Sequence, residues 1–374
     1  MTDVPRRIWL ARPQTGEAEI DEIRAVMQSG YLTQGPKVAE FEGLVAERIG
    51  APHTFATTSA TTALHLTLAA LGIGPGDEVL VPDFTFPATA NVVVQQGATP
   101  VLVDIDLATF AMDPADLARK ATTRARAVMP VHPFGLPADM DPILEVATAS
   151  GLAVIEDAAC ALGAEYHGRP VGVIGTAGCF SFHPRKSITT GEGGMIATGE
   201  DDVADRIKLL RSHGGVRQGG RFVFEDAGFN YRLSDILAAV GVAQMRKLDA
   251  MLRARRAVAA LYDAALAGVT GVTIPTCPAG RTHTYQTYAV LLDPQIDRDA
   301  VIARLAADGI ETTLGTYALH AQPFFARSLG CSPGDLPNSY RAFLSSLALP
   351  LHAGIGPEQV DEVVEALKAA IRSS

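Results

Sequence analysis

Phe180-Ser181-Phe182-His183-Pro184-Arg185-Lys186-Ser187-Ile188-Thr189-Thr190-Gly191-Glu192-Gly193-Gly194 sets one lysine in a loop of hydroxyls and glycines, directly behind a short apolar run at 178–182. Lys186 follows by 29 residues an acidic pair, Glu156-Asp157, which closes another apolar run at 152–155. Outward from this pairing, β-rich runs at 78–81, 100–103, 127–131 and 195–197 complete a series in which short apolar segments alternate with helical patterns. Helices are expected over 61–71, 114–120 and 140–150, and Gly74-Pro75-Gly76-Asp77 reads as the turn that stops the first. Such alternation is the signature of a mostly parallel sheet covered by helices, whose sites lie at the carboxyl ends of the strands. Glu156-Asp157 stands at one of those ends.

From about Asp235 a single long helical pattern runs through Ala238, Val242, Met245, Leu248 and Leu252, and is expected to link two domains. Beyond it come a strand over 288–292, a helix over 298–308 and a final amphipathic helix over 357–371. A chain of 374 residues with 48% hydrophobic content can build two cores. Its 19% charged residues, 35 glycines and 23 prolines are spread without a low-complexity tract. A formal charge of −10 with no long basic run leaves no footprint for nucleic acid. No apolar run reaches the ~20 residues of a membrane span, so a cytoplasmic protein is expected. Four cysteines, at 160, 179, 277 and 331, lack a C-x-x-C pair and suggest neither a disulfide framework nor a metal site.

One cofactor asks for the set of residues around the lysine. Pyridoxal 5'-phosphate (PLP) takes a lysine for its Schiff base, a carboxylate to keep its ring nitrogen protonated, and hydroxyls with helix N-terminal amides for its phosphate. Lys186 and Asp157 supply the first two, and Gly191, Gly193 and Gly194 give the loop a backbone able to approach a ligand closely. Thr57-Thr58-Ser59-Ala60-Thr61-Thr62, just ahead of a helical pattern, supplies the third. Each residue taken singly also has an ordinary reading: Lys186 as a solvated loop lysine, Asp157 as a helix N-cap, the threonines as capping residues.

The remaining motifs decide between these readings. They are Gly30-Tyr31-Leu32-Thr33-Gln34-Gly35-Pro36 with Phe41-Glu42, Gly76-Asp77-Glu78-Val79, and Thr85-Phe86-Pro87-Ala88-Thr89-Ala90-Asn91. Gly97-Ala98-Thr99-Pro100-Val101 with Val103-Asp104-Ile105-Asp106, Ile155-Glu156-Asp157-Ala158-Ala159 and the lysine loop follow. Gly228-Phe229-Asn230-Tyr231-Arg232, Ala238-Ala239 and Leu347-Ala348-Leu349-Pro350-Leu351-His352 complete the series. In order and spacing they resemble the DegT/DnrJ/EryC1/StrS sugar aminotransferase family, within the fold type I PLP enzymes, along nearly the whole chain.

The resemblance implies an α/β, fold type I PLP-dependent transferase. A large PLP-binding domain, residues 1–245 with the N-terminal segment, carries a mostly parallel sheet flanked by helices, and a smaller C-terminal α+β domain spans 246–374. It implies that Lys186 carries the cofactor and then moves the proton between the amino carbon and the cofactor carbon. Asp157 would pair with the ring nitrogen, and Phe86 would stack on the ring face unless it is plain core packing. Thr61, Thr62 and Ser181 would hold the phosphate, and Asn230 would reach it from the neighbouring subunit of a homodimer. His183 is a candidate substrate contact, set against a histidine satisfied by local hydrogen bonds; His320 is a weaker candidate contact and, with His213, reads rather as structural. Cys160 stands where the family usually has Gln or His to hydrogen-bond the cofactor's phenolic oxygen, and a thiol is a weaker donor. Leu237 stands where the family often has Gln. The activity implied is transfer of an amino group, from glutamate, to a keto group of a nucleotide-linked sugar. A ketocyclitol or other small ketone as acceptor, a sugar dehydratase, and a PLP-binding regulatory protein without turnover are the rivals. Lys186 stands against the dehydratases, which have His in its place.

Overall fold

The computed structural model describes residues 7–373. Seven strands form one sheet: β1 (His53–Thr57), β2 (Glu78–Pro82), β3 (Thr99–Val103), β4 (Ala125–Val128), β5 (Ala153–Asp157), β6 (Ala177–Ser181) and β7 (Gly194–Thr198). Their order is β1-β7-β6-β5-β4-β2-β3. Neighbours from β3 to β6 pair in parallel, and β7 runs antiparallel to both β6 and β1. That one reversal places the lysine. Ser181 lies opposite Gly194, so the chain returns directly from β6 to β7 without a crossover helix. The return is the segment that carries Lys186, and it sits at the carboxyl end of β6, beside that of β5.

Parallel strands are covered on both faces, which is why they read as nearly continuous apolar runs. On one face, Val38, Phe41 and Val45 of the helix Pro36–Ile49 pack with Ile143 of Met140–Ser150 and Val242 of Asp235–Met245. On the other, Leu64, Leu66 and Leu68 of Ala60–Ala70 pack with Val92 of Ala88–Gln95 and Ile207 of Asp201–Arg211. Each fully buried Leu or Phe of these layers stabilises the fold by about 1.5–3 kcal/mol.

A second, antiparallel sheet of order β8-β9-β11-β10 is built from β8 (Val272–Thr273), β9 (Tyr288–Leu292), β10 (Thr313–Leu314) and β11 (Ser346–Leu349). The helices Leu248–Leu266, Arg298–Ala307 and Pro357–Ser373 close its core around Tyr262, Val301 and Val363. Core membership crosses the 245/246 division in both directions. Ile8 pairs with Ile310 and is buried in the second core, whereas Leu319, Phe325 and Leu336 are buried against the large sheet.

Two expectations about elements change. The single long helix from Asp235 is two helices, broken at Arg246 and Lys247. The first gives its apolar residues to the large core; the second begins in that core with Leu248, Met251 and Leu252 and passes to the smaller one at Val258, Ala259 and Tyr262, so it is the second helix that joins the two cores. Arg246 reaches Glu22 and Glu40, and Lys247 reaches Glu19, which pins the break. Strand β1 was not foreseen. No helix among the described residues is long and apolar enough to cross a membrane.

Candidate active site

The carboxyl ends of β5 and β6 open into a cleft of about 500 Å³, within the size range of small-molecule sites. Asp157 lies in its wall, 6% exposed at the end of β5. Its Oδ2 accepts the Thr89 hydroxyl at 2.8 Å and its Oδ1 accepts the Ala159 amide at 3.2 Å. Burial pushes its carboxyl above the usual carboxylate range, against the Thr89 bond, the Ala159 amide and the charges of Lys186 and His132. A buried anion in that state is receptive to a cation such as a ring N–H.

Lys186 lines the same cleft, partly exposed, and its Nζ donates to Cys160 Sγ at 3.1 Å. The loop around it is held from within and from the second half of the chain. The Lys186 amide donates to the His183 carbonyl at 2.8 Å, and Thr189 Oγ1 donates to the Phe182 carbonyl at 2.8 Å. Gln286 Nε2 donates to the Arg185 carbonyl at 2.7 Å, and Arg255 reaches the Lys186 carbonyl at 3.4 Å. The glycines serve this packing: a Cβ on Gly194 would stand 2.3 Å from the Ser59 carbonyl oxygen, so the close backbone approach is to the start of the helix Ala60–Ala70.

That helix start is the third part of the site. Ser59 Oγ accepts the Thr62 amide at 3.1 Å and the Ser59 carbonyl accepts the Ala63 amide at 3.0 Å. The amides of Ala60 and Thr61 have no intrahelical acceptor at a helix start, and both residues line the cleft with Ser181. Two free amides, the helix dipole and two hydroxyls make an anion seat. Buried carboxylate, lysine and anion seat together match the donor set that PLP requires.

The other expected residues divide. Phe86 lines the cleft and is 65% exposed, so it is not core packing. Cys160 and His183 line it as well. His183 Nδ1 accepts the Arg185 amide at 3.2 Å, and burial lowers its pKa, with the Glu192 charge opposing and those of Lys186 and Arg185 assisting. Thr62 is not in the wall, because its hydroxyl closes the capping box with Ser59. Asn230 is exposed, pairs with Ser212, and lies outside the wall of its own cleft. His320 lies outside the wall, on the structural side of its two readings and not as a substrate contact. Its side chain is fully buried, with Nδ1 2.6 Å from Asp83 Oδ2 and its amide donating to Asp83 Oδ1 at 2.7 Å. It is a strut between the end of β2 and the second half of the chain. Thr89, Arg185, Glu192, Gln286 and Thr316, also in the wall, were not singled out. Thr89 lies inside the Thr85-to-Asn91 motif, and Arg185 and Glu192 lie inside the lysine loop; Gln286 and Thr316 lie in no quoted motif.

The model of the DegT/DnrJ/EryC1/StrS aminotransferase family matches residues 13–368. The chain is 43% identical to GDP-perosamine synthase of Caulobacter vibrioides over 371 residues, 98% of this chain and 99% of that protein. It superposes on the aminotransferase TlmJ of Streptoalloteichus hindustanus with TM-score 0.92 at 34% identity, covering 98% and 99% of the two chains. The PLP form of a Streptococcus pneumoniae protein superposes with TM-score 0.93 at 29% identity, again over 98% and 99%.

Proposed function

The chain belongs to the DegT/DnrJ/EryC1/StrS aminotransferase family, and from that premise we propose that it transfers an amino group from glutamate to a keto group of a nucleotide-linked sugar, a GDP-sugar first among them. It is a PLP-dependent aminotransferase with the fold type I architecture. The observation that carries the residue assignment is the convergence of Lys186, Asp157, Ser181 and the amides of Ala60 and Thr61 on one cleft. GDP enters the proposal through the similarity to GDP-perosamine synthase.

In this reading Asp157 offers its carboxylate to the cofactor's ring nitrogen, and the cation there keeps the carboxylate charged. Ser181, Thr61 and the helix start hold the phosphate; Thr62 acts on it only by fixing the cap. Phe86 covers one face of the ring. When bound, PLP supplies an electron-poor ring that takes up the electrons of the amino-bearing carbon as its proton leaves. Lys186 Nζ removes that proton and returns one on the other side of the transfer, as a general base and then acid. Cys160, His183, Arg185 and Glu192 border the space left for the two substrates in turn. We place the working unit in the cytosol as a homodimer, with Asn230 of each subunit reaching the phosphate seat of the other. Four unpaired cysteines fit a reducing compartment. The exposed Phe222 and Phe224 of the hairpin next to Asn230 fit a surface covered in assembly.

Cofactor spectroscopy tests the assignment. Glutamate should convert the PLP-loaded protein to its amino form, and a GDP-linked ketosugar, but not a ketocyclitol, should restore the lysine-bound absorbance. Lys186→Ala should abolish both changes, dropping turnover by on the order of 10⁴-fold or more. A ketocyclitol that restores the absorbance while all nucleotide ketosugars fail would overturn the sugar reading.

A further inference from the structure

Lys186 Nζ and Cys160 Sγ are 3.1 Å apart, and both line an open cleft. Their backbones are held independently: Thr284 Oγ1 donates to the Cys160 carbonyl at 3.0 Å, and Arg255 donates to the Lys186 carbonyl at 3.4 Å. Contact therefore requires only side-chain motion of the long lysine stem. None of the other cysteines has such a neighbour. Cys179 is fully buried beside Thr67 Oγ1, Cys277 is exposed and bonds the Arg281 carbonyl, and Cys331 faces the Leu329 carbonyl.

We propose that Cys160 and Lys186 form a redox-sensitive modification site, in which a peroxide closes a reversible sulfur–nitrogen bond that withholds the lysine from the cofactor. Hydrogen peroxide takes two electrons from the Cys160 thiol: an S–O bond forms as the O–O bond breaks, giving the sulfenic acid and one water. The free amine of Lys186 then attacks that sulfur. An N–S bond forms, the S–O bond breaks, and the hydroxyl leaves with a proton from nitrogen as a second water. The product lacks two hydrogen atoms relative to amine and thiol. A thiol reductant attacks the sulfur, releases the amine and leaves a mixed disulfide, which a second thiol reduces. A lysine already bound to PLP has no free amine to attack, so the loaded enzyme is protected and the empty one is held shut until reduced.

The test uses the full-length protein with and without cofactor. After a several-fold molar excess of hydrogen peroxide, peptide mapping without reductant should find the Cys160 and Lys186 peptides joined, lighter by two hydrogen atoms, in the cofactor-free protein. PLP uptake, followed by absorbance, should fall by the same fraction, and dithiothreitol should restore both. Protein loaded with PLP beforehand should resist. Cys160→Ser should form no link and take up PLP to the same extent with and without peroxide, whereas Lys186→Ala should carry Cys160 on to acids with two or three added oxygens. The proposal is overturned if Cys160 of the parent goes to those acids with Lys186 free, if it stays unmodified while Cys277 oxidises, or if the link forms and uptake is unchanged. These readouts stand whichever ketone the enzyme aminates.

Discussion

At Asp157 the fold holds a carboxyl whose pKa burial raises, the Thr89 hydroxyl and the Lys186 charge compensating only in part. A carboxyl raised in the folded state binds protons more readily there than in the unfolded chain. Its contribution to stability is therefore present at low pH and is lost as pH rises through the raised value. In cofactor-free protein at neutral pH, Asp157 is a cost. Asp157→Asn should accordingly raise the melting temperature of the cofactor-free protein at neutral pH, with the gain shrinking toward pH 4, while PLP affinity and glutamate conversion both fall. Thermal unfolding across pH, with and without PLP, reads both arms; a melting temperature lowered equally at every pH would contradict the burial account. The placing of Lys186 and Asp157 in one cleft was legible in the sequence because Asp157 closes a strand run, Lys186 follows one, and both lie inside dense motifs. Gln286, 101 residues from the Arg185 carbonyl it holds, had no such context. His320 kept two readings because a histidine far along the chain carries no mark of which face it will present, and tertiary packing seals it against Asp83.

The element that orients Asp157 is the end of β5, where Glu156 points away from the cleft into the protein. Its Oε1 accepts the Ile174 amide at 2.7 Å and the Gly175 amide at 2.8 Å, and its Oε2 accepts the Gly172 amide at 2.7 Å and faces His132 Nε2 at 3.0 Å. Burial pushes its pKa up, but the His132 bond and charge and the Gly172 and Gly175 amides outweigh it, so the net shift is downward. The stability it contributes is present at neutral pH and lost as pH falls below the ordinary carboxylate value. Glu156→Gln turns an amide NH₂ toward amide donors and should cost on the order of 3–5 kcal/mol in chemical denaturation, with activity lost only as far as the protein unfolds. A second element, 283–287, supplies Gln286 and Thr287 to the cleft wall, braces the Cys160 carbonyl through Thr284, and holds a buried His283. Burial lowers the pKa of His283 to about 3, with a Gly135 hydrogen bond opposing and the Arg256 charge assisting. Below about pH 6.5 the unfolded chain takes up a proton that the folded His283 refuses, so stability falls there by up to about 1.4 kcal/mol per pH unit. His283→Asn should flatten that slope between pH 6 and 4 in urea titrations, and an unchanged slope would assign it elsewhere. Six of the seven strands of the large sheet and the helix Pro114–Lys120 were readable from period and punctuation. Strand β1, His53–Thr57, was not: five residues with two polar ones at its start show neither alternation nor a continuous apolar run. The break at Arg246 was hidden because both halves keep helical spacing and the apolar residues on either side of it, Val242 and Leu248, belong to the same core.

At the scale of the whole molecule, the placement of Asn230 forces a choice. It is exposed and outside the wall of its own cleft, yet the motif around it is tightly anchored: the Tyr231 carbonyl accepts the Thr58 amide at 3.0 Å, Arg232 bonds Ser212 Oγ at 2.9 Å, and Phe229 and Tyr231 stack at 4.7 Å. A rigidly presented side chain with no task in its own subunit is accounted for if it serves another. If Asn230 acts across a two-fold interface, each site takes Lys186 from one subunit and Asn230 from the other. Lys186→Ala and Asn230→Ala homodimers should each be strongly impaired. Unfolding and refolding an equimolar mixture should make about half the dimers hybrids, each with one site holding both native residues and one holding neither. Activity should then recover to about a quarter of the wild-type value per subunit by statistical assembly. Asn230 acting within its own subunit gives no recovery, since every site in every hybrid then lacks one residue. The same mixture separates a third case: if Asn230→Ala alone retains full turnover and full PLP affinity, the residue serves the fold of the segment and the cleft is complete without it.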